Sequence, residues 1–225
     1  MKLSSMPSSL EKVTVCFHTN EEENGTGGRS NSSSHFGGRS IYISDWDSAV
    51  DEKLLKENNI GCILNMCSGE HDEDETKIYQ DLGIKTYQFG MNEEDYPIEE
   101  RDSNEQILEY WNQAYKTIEA FFDHDNNRDN DCTATLLEKS DDENKNENVV
   151  GGRSTEEESK NVVGGCSNIL IHCVAGVNRS ASTIIFYLMK KFGMKYLDAF
   201  NTLKVTRPQI NLDKTFIDLL LAFKK

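Results

Sequence analysis

From Ile169 to Phe192 the sequence runs from a short apolar stretch, ILIH, through a loop of small residues, CVAGVNR, into SASTIIFYLMKKF. The first stretch reads as a strand and the last, from about Ser180, as a helix. A loop at the carboxyl edge of a strand that opens a helix is where open α/β sheets bind ligands.

The rest of the chain supports that architecture. IYIS at 41–44 reads as a short strand, and DSAVDEKLLKENN as a helix with Val50, Leu54 and Leu55 on its apolar side. IGCILNM is a continuous apolar run of strand length, the kind buried on both faces of a parallel sheet. GIKTYQFG supplies another strand. The clearest helix runs from Asn104 to about Phe122, with Ile107, Trp111, Ala114, Tyr115, Ile118, Phe121 and Phe122 at helical spacing. Ser103 and Gln106 form a capping box at its start. Beyond the ligand-binding loop, a helix over about Leu197–Val205 stops at Pro208, and a last helix ends near Phe223. Alternating strands and helices indicate an α/β fold with a central, mostly parallel sheet.

Composition sets the boundaries. The chain has 225 residues, enough for one domain with a substantial core, and a net charge of −15. Residues 1–37, rich in Ser, Asn and Gly, read as a flexible N-terminal tail ahead of a domain over 38–225. Residues 123–167 hold 12 Asp/Glu against 5 Lys/Arg and read as an acidic low-complexity insertion in that domain. Within it NVVGGRS at 148 returns as NVVGGCS at 161, which fits repeat drift in a solvated segment better than a docking motif used twice. With no basic stripe to neutralise phosphates, nucleic acid is not an expected partner. No apolar run exceeds the six residues of IIFYLM, so neither a membrane span nor a secretory signal is expected. The six cysteines form no CxxC pair and the five histidines are scattered, so no metal and no cofactor are expected. The cysteines are then reduced thiols of a cytoplasmic protein, with the nucleus as a second compartment. The residues set no oligomeric state.

The loop carries chemistry. Backbone N–H groups at a helix N-terminus converge where the helix dipole is positive, and Gly176 lets the backbone curl without a Cβ in the way. A thiol at the centre of such a nest, Cys173, beside a guanidinium, is favoured as the thiolate. Arg179 can hold two phosphate oxygens with its planar fork. Ser180 can donate to the sulfur when it departs as thiolate. The cradle formed by Val174, Ala175, Gly176, Val177, Asn178 and Arg179 fits a tetrahedral oxyanion attacked by sulfur, that is, phosphoryl transfer to cysteine. The bland alternative is a buried inert cysteine beside a surface arginine.

HCVAGVNRS resembles the HCxxGxxR(S/T) signature of cysteine-based phosphatases, and its flanks resemble the dual-specificity protein phosphatases. IYISDWDSAV…LLKENNIGCILNM is similar to that family's opening strand, helix and strand. RSASTIIFYLMKKFGMKYLDAFNTLKVTRPQINLDKTF is similar to the segment after its active-site loop. The resemblance spans about 38–122 and 168–225 and implies the three-layer cysteine-phosphatase fold, its sheet flanked by helices. It also implies Cys173 as nucleophile, Arg179 as phosphate holder, Ser180 as the group assisting thiolate departure and His172 as a residue that orients the loop. The family's general acid follows the strand read here as IKTYQFG. Within MNEEDYPIEERD that role falls to Asp95, with Glu94 the alternative by register from Tyr87. Asn178 departs from the serine of many relatives and is shared with the RNA 5′-triphosphatase branch. No lysines flank Arg179 in the loop, against a site for highly charged inositol lipids.

Three expectations follow. The chain is a small dual-specificity protein phosphatase without an added docking domain, acting on phosphotyrosine, phosphoserine and phosphothreonine in a shallow pocket. Its rivals are a catalytically weak reader of phosphoproteins and an RNA 5′-triphosphatase. Seven acidic residues between Glu93 and Glu105, against Arg101 alone, favour substrates with basic or neutral flanks. Finally, Cys67 ends a strand expected beside that of Cys173, either as a packed core thiol or as the partner in an oxidative disulfide.

Overall fold

The structure is a computed structural model that describes residues 9–13, 40–92, 102–132 and 168–223, with the side chains of 124–132 left aside. Five strands form one sheet: β1 (Glu11–Val13), β2 (Ile41–Ser44), β3 (Ile60–Cys67), β4 (Lys85–Met91) and β5 (Asn168–His172). Their order is β1-β2-β5-β3-β4, with β1 antiparallel to β2 and all other neighbours parallel. The strand before the loop is therefore central. His172 lies in register with Ser44 on one side and Asn65 on the other.

Side chains alternate across the sheet with the strand period of two. Ile41, Ile43, Cys62, Leu64, Ile169 and Ile171 face the larger core; Tyr42, Ile63 and Leu170 face the smaller. The larger layer holds α4 (Asn104–Cys132), α5 (Arg179–Phe192), α6 (Tyr196–Thr206) and α7 (Lys214–Ala222). The smaller layer is closed by α1 (Trp46–Ala49), α2 (Glu52–Glu57) and α3 (Glu73–Asp81). This is the expected three-layer α/β arrangement. Every residue of α5 from Arg179 to Met189 is buried, and Trp111 of α4 stacks on Phe186 with ring centroids 5.3 Å apart. Gly193, at φ +70°, ends α5 in the left-handed conformation that glycine adopts without steric cost.

Four features differ from expectation. The tail expected over 1–37 contains β1, whose Val13 is buried against the sheet. The helix expected over 47–59 is two, because Asp45 and Asp51 each cap a new first turn, accepting from Ser48 and Leu54 N–H. Helix α3 was not expected: Tyr79 is its one buried residue, and a capping box between Asp72 and Glu75 holds its start. Helix α4 continues past Phe122 to Cys132, into the stretch read as an insertion from 123. The capping box at its start is present, with Ser103 N–H donating to Gln106 at 2.8 Å and Gln106 N–H to Ser103 Oγ at 3.3 Å. Among the described residues no helix is long and apolar enough to cross a membrane.

Candidate active site

Cys173 follows the last residue of β5, and α5 begins at Arg179. Between them, four consecutive carbonyls are each taken by a donor from elsewhere in the fold. Trp46 N–H donates to Val174 O at 3.1 Å. Arg207 donates through Nη2 to Ala175 O at 3.1 Å and through Nε to Gly176 O at 2.7 Å. Asn211 N–H donates to Val177 O at 3.0 Å. In a trans peptide the next residue's N–H points opposite the carbonyl. Pinning these oxygens outward therefore turns the amides of Ala175, Gly176, Val177 and Asn178 the other way, into an anion nest.

Gly176 has φ +66°, and a Cβ there would lie 2.5 Å from Ser44 O and 2.7 Å from Arg207 Nη2. Arg207, just past α6, is itself 2% exposed and paired with Glu11 of β1 and, at 3.7 Å, with Asp45. Asn178, at the N-cap of α5, makes no cap bond with its side chain. Instead Nδ2 donates to Asp213 Oδ2 at 2.6 Å while Oδ1 accepts from Asp213 N–H at 2.9 Å. That reciprocal pair ties the loop to the start of α7.

The expected residues Cys173, Arg179, Ser180 and His172 are brought together and buried. Cys173 Sγ lies 3.2 Å from Ser180 Oγ. Arg179 Nη1 donates to Met91 O at 3.1 Å, fixing the guanidinium beside the end of β4. Burial pulls Arg179 below the ordinary arginine range, and Cys67 and Asp213 pull it back. Burial, then His71, pushes His172 down to about 3, with the Cys173 backbone pulling more weakly the other way, so this imidazole is neutral at pH 7. Burial likewise pushes the Cys67 thiol up to about 12 against the opposing pull of Arg179.

Asp95 and Glu94 lie outside the described residues. The ends of their loop are described: Asn92 N–H donates to Asp102 Oδ2 at 2.7 Å, next to the Met91 carbonyl that holds Arg179. Sequence reasoning missed Arg207, Asn211, Asp213, Trp46 and His71, which reach the loop across the fold. The one local signal was the Arg-Pro stop at 207–208, read only as a helix end.

Comparison with known proteins bears on this geometry. The family model described as the dual specificity phosphatase catalytic domain matches residues 160–225. Human dual specificity protein phosphatase 8 is 39% identical over 57 residues, 25% of this chain and 9% of that protein. Serine/threonine/tyrosine-interacting protein A of Xenopus laevis is 39% identical over 70 residues, 29% of this chain and 31% of its own. The chain thus matches less than a third of the length of these relatives. The Yvh1 phosphatase domain of Chaetomium thermophilum shares the fold at TM-score 0.51 and 17% identity, over 81% of this chain and 88% of that one. Residues 160–225 thus match the dual specificity phosphatase catalytic domain, and the chain shares the fold of a solved phosphatase domain.

Proposed function

We propose that the chain hydrolyses phosphotyrosine and phosphoserine or phosphothreonine in proteins through a phosphocysteine at Cys173. The outward pinning of four consecutive loop carbonyls around a buried cysteine and arginine carries this reading. In the first step Cys173 Sγ attacks phosphorus and the bond to the leaving oxygen breaks. Asp95 supplies that oxygen's proton. Arg179 and the inward amides bind the three equatorial oxygens, where charge is greatest in the transition state. In the second step water attacks the phosphocysteine, gives its proton to Asp95, and the P–S bond breaks. Ser180 Oγ, 3.2 Å from Sγ, donates to the departing thiolate. No step requires a metal or cofactor. The acidic residues between Glu93 and Glu105 favour substrate segments with basic or neutral flanks.

The test is phosphate release from a phosphotyrosine peptide in EDTA by the wild type, Asp95→Ala and Cys173→Ser. The expected result is turnover by the wild type, about 100-fold less with Asp95→Ala, and none with Cys173→Ser. Release unaffected by Asp95→Ala moves the acid to Glu94 or elsewhere. Peptide binding without any release makes the loop a phosphate reader.

A further inference from the structure

Strand β1 is only three residues long, yet its acidic residue reaches the loop through a buried cation. Glu11 lies opposite Ile43 of β2, next to Ser44, whose carbonyl oxygen stands against Gly176. Glu11 and Val13 share one side of the strand. Val13, 2% exposed, packs into the larger core and so anchors the segment that carries the carboxylate. Ser9 adds two ties: its hydroxyl donates to Glu11 Oε1 at 2.7 Å and its backbone N–H donates to Ser48 Oγ at 3.0 Å. The remaining carboxylate oxygen, Oε2, accepts from Arg207 Nη1. A guanidinium is planar and its donors point in fixed directions. Nε and Nη2 of Arg207 point to the carbonyls of Gly176 and Ala175, and Nη1 points away from them to Glu11. Asp45 cannot replace that last contact. Its Oδ2 is 3.7 Å from Nη2, beyond hydrogen-bond reach, and its Oδ1 is engaged by Ser48 N–H at 2.9 Å at the cap of α1. Without Glu11, a buried cation keeps one distant counter-charge. That costly state is relieved when the guanidinium swings toward water, which withdraws both donors from the loop.

We propose that Glu11 is a positioning residue that acts through Arg207. It keeps the carbonyls of Ala175 and Gly176 turned outward, and with them the amides of Gly176 and Val177 turned toward a bound oxyanion. This rests on the catalytic reading above, in which the loop holds the substrate's phosphoryl group. Two effects of the carboxylate oppose each other. Its negative charge repels a phosphate, while its hydrogen bond fixes the guanidinium that shapes the nest. The charge lies behind the guanidinium, which neutralises most of it at the distance of the loop. Losing two pinned carbonyls acts directly on the amides that touch the oxyanion. Positioning therefore outweighs repulsion.

The experiment measures tungstate binding by titration calorimetry, phosphotyrosine-peptide kinetics and urea midpoints on the full chain. Tungstate is an unreactive tetrahedral oxyanion, so its affinity reads the nest without the chemistry. Glu11→Ala removes the acceptor, and Glu11→Gln keeps an oxygen for Arg207 Nη1 without the charge. Glu11→Asp keeps the charge but is one methylene short, and Val13→Ala loosens the strand while leaving the carboxylate in place. Glu11→Ala is expected to weaken tungstate about tenfold, the size of one hydrogen bond, with kcat/KM falling to match. Glu11→Gln is expected to stay within about twofold of the wild type, and Glu11→Asp to weaken tungstate about threefold. Val13→Ala is expected to lower the urea midpoint and leave tungstate affinity unchanged. Equal affinities in Glu11→Ala and Glu11→Gln overturn the proposal, because charge alone then matters. Equal weakening by Val13→Ala and Glu11→Ala also overturns it, because the strand as a whole is then responsible. If Glu11→Ala fails to fold, an unchanged affinity in Glu11→Asp overturns it instead. A wild type that binds tungstate but releases no phosphate faults the catalytic reading, and the expected order of affinities among the variants would still support the role of Glu11.

Discussion

Arg207 donates its Nε–H to the carbonyl oxygen of Gly176 at 2.7 Å, a contact between residues 31 positions apart that holds the loop between β5 and α5. Gly176 can accept this grip because it lacks a Cβ: the added atom would meet Ser44 O, part of the β2 backbone, at 2.5 Å. Gly176→Ala therefore combines a left-handed φ, costing about 1–2 kcal/mol, with a clash against backbone that cannot swing away. A loss of about 3 kcal/mol in urea unfolding is expected, together with loss of vanadate binding. A variant that keeps both its midpoint and its vanadate affinity would show that the loop is not held as described.

Asp213 offers a different lever. Its carboxylate accepts from Asn178 and lies close enough to Arg179 to stabilise the guanidinium's charge. The same negative charge repels a phosphate dianion in the loop. Asp213→Asn keeps an oxygen for Asn178 while removing the charge, so inorganic phosphate should inhibit about fivefold more tightly. Inhibition that weakens on this substitution would mean that Asp213 serves mainly to position Asn178.

Stability on the acid side should carry the mark of His172. Its folded value of about 3 lies below the ordinary 6.5, so between those values the unfolded chain binds more protons than the folded one. The contribution is complete above about pH 6.5 and is lost as pH falls toward 3. Urea midpoints at pH 7, 5.5 and 4.5 should fall, and His172→Asn should flatten part of the slope. An identical slope in the variant would remove His172 from the account.

Cys67 should become reactive only with help from pH. The β3–β5 register places Asn65 beside His172, which brings the strand ends carrying Cys67 and Cys173 together, and the Val174 backbone hydrogen-bonds the Cys67 sulfur. Because burial pushes this thiol up to about 12, it is protonated at neutral pH and attacks an oxidised Cys173 slowly. Peptide mapping after mild peroxide should find a Cys67–Cys173 linkage whose rate of formation rises up to about tenfold per pH unit from pH 7 to 9. Finding both cysteines oxidised but never linked would make Cys67 a packing residue.

What could be read from sequence here is what local pattern determines. IYIS coincides with β2, the apolar runs became β3 and β5, and α5 begins one residue before the expected Ser180. The loop was legible because its cysteine, glycine, arginine and serine, Cys173, Gly176, Arg179 and Ser180, all fall within one short stretch of sequence. The missed pieces owe their form to distant partners. Strand β1 has three residues, and its Glu11 is tied down by Arg207, 196 positions away. Helix α3 buries only Tyr79 and draws support from Trp46 through Glu75. His71 meets His172 across 101 positions. No periodicity marks such residues, because their neighbours are set by the parallel crossovers of the sheet.

The central claim is a covalent phosphocysteine at Cys173, and its most direct test is an acid quench during turnover of a phosphotyrosine peptide, followed by mass spectrometry of the Cys173 peptide. The account predicts a phosphoryl adduct on Cys173 that accumulates in Asp95→Ala if hydrolysis of the intermediate becomes the slower step, and is absent from Cys173→Ser. Phosphate release by Cys173→Ser at the wild-type rate, with no adduct in any variant, would contradict it.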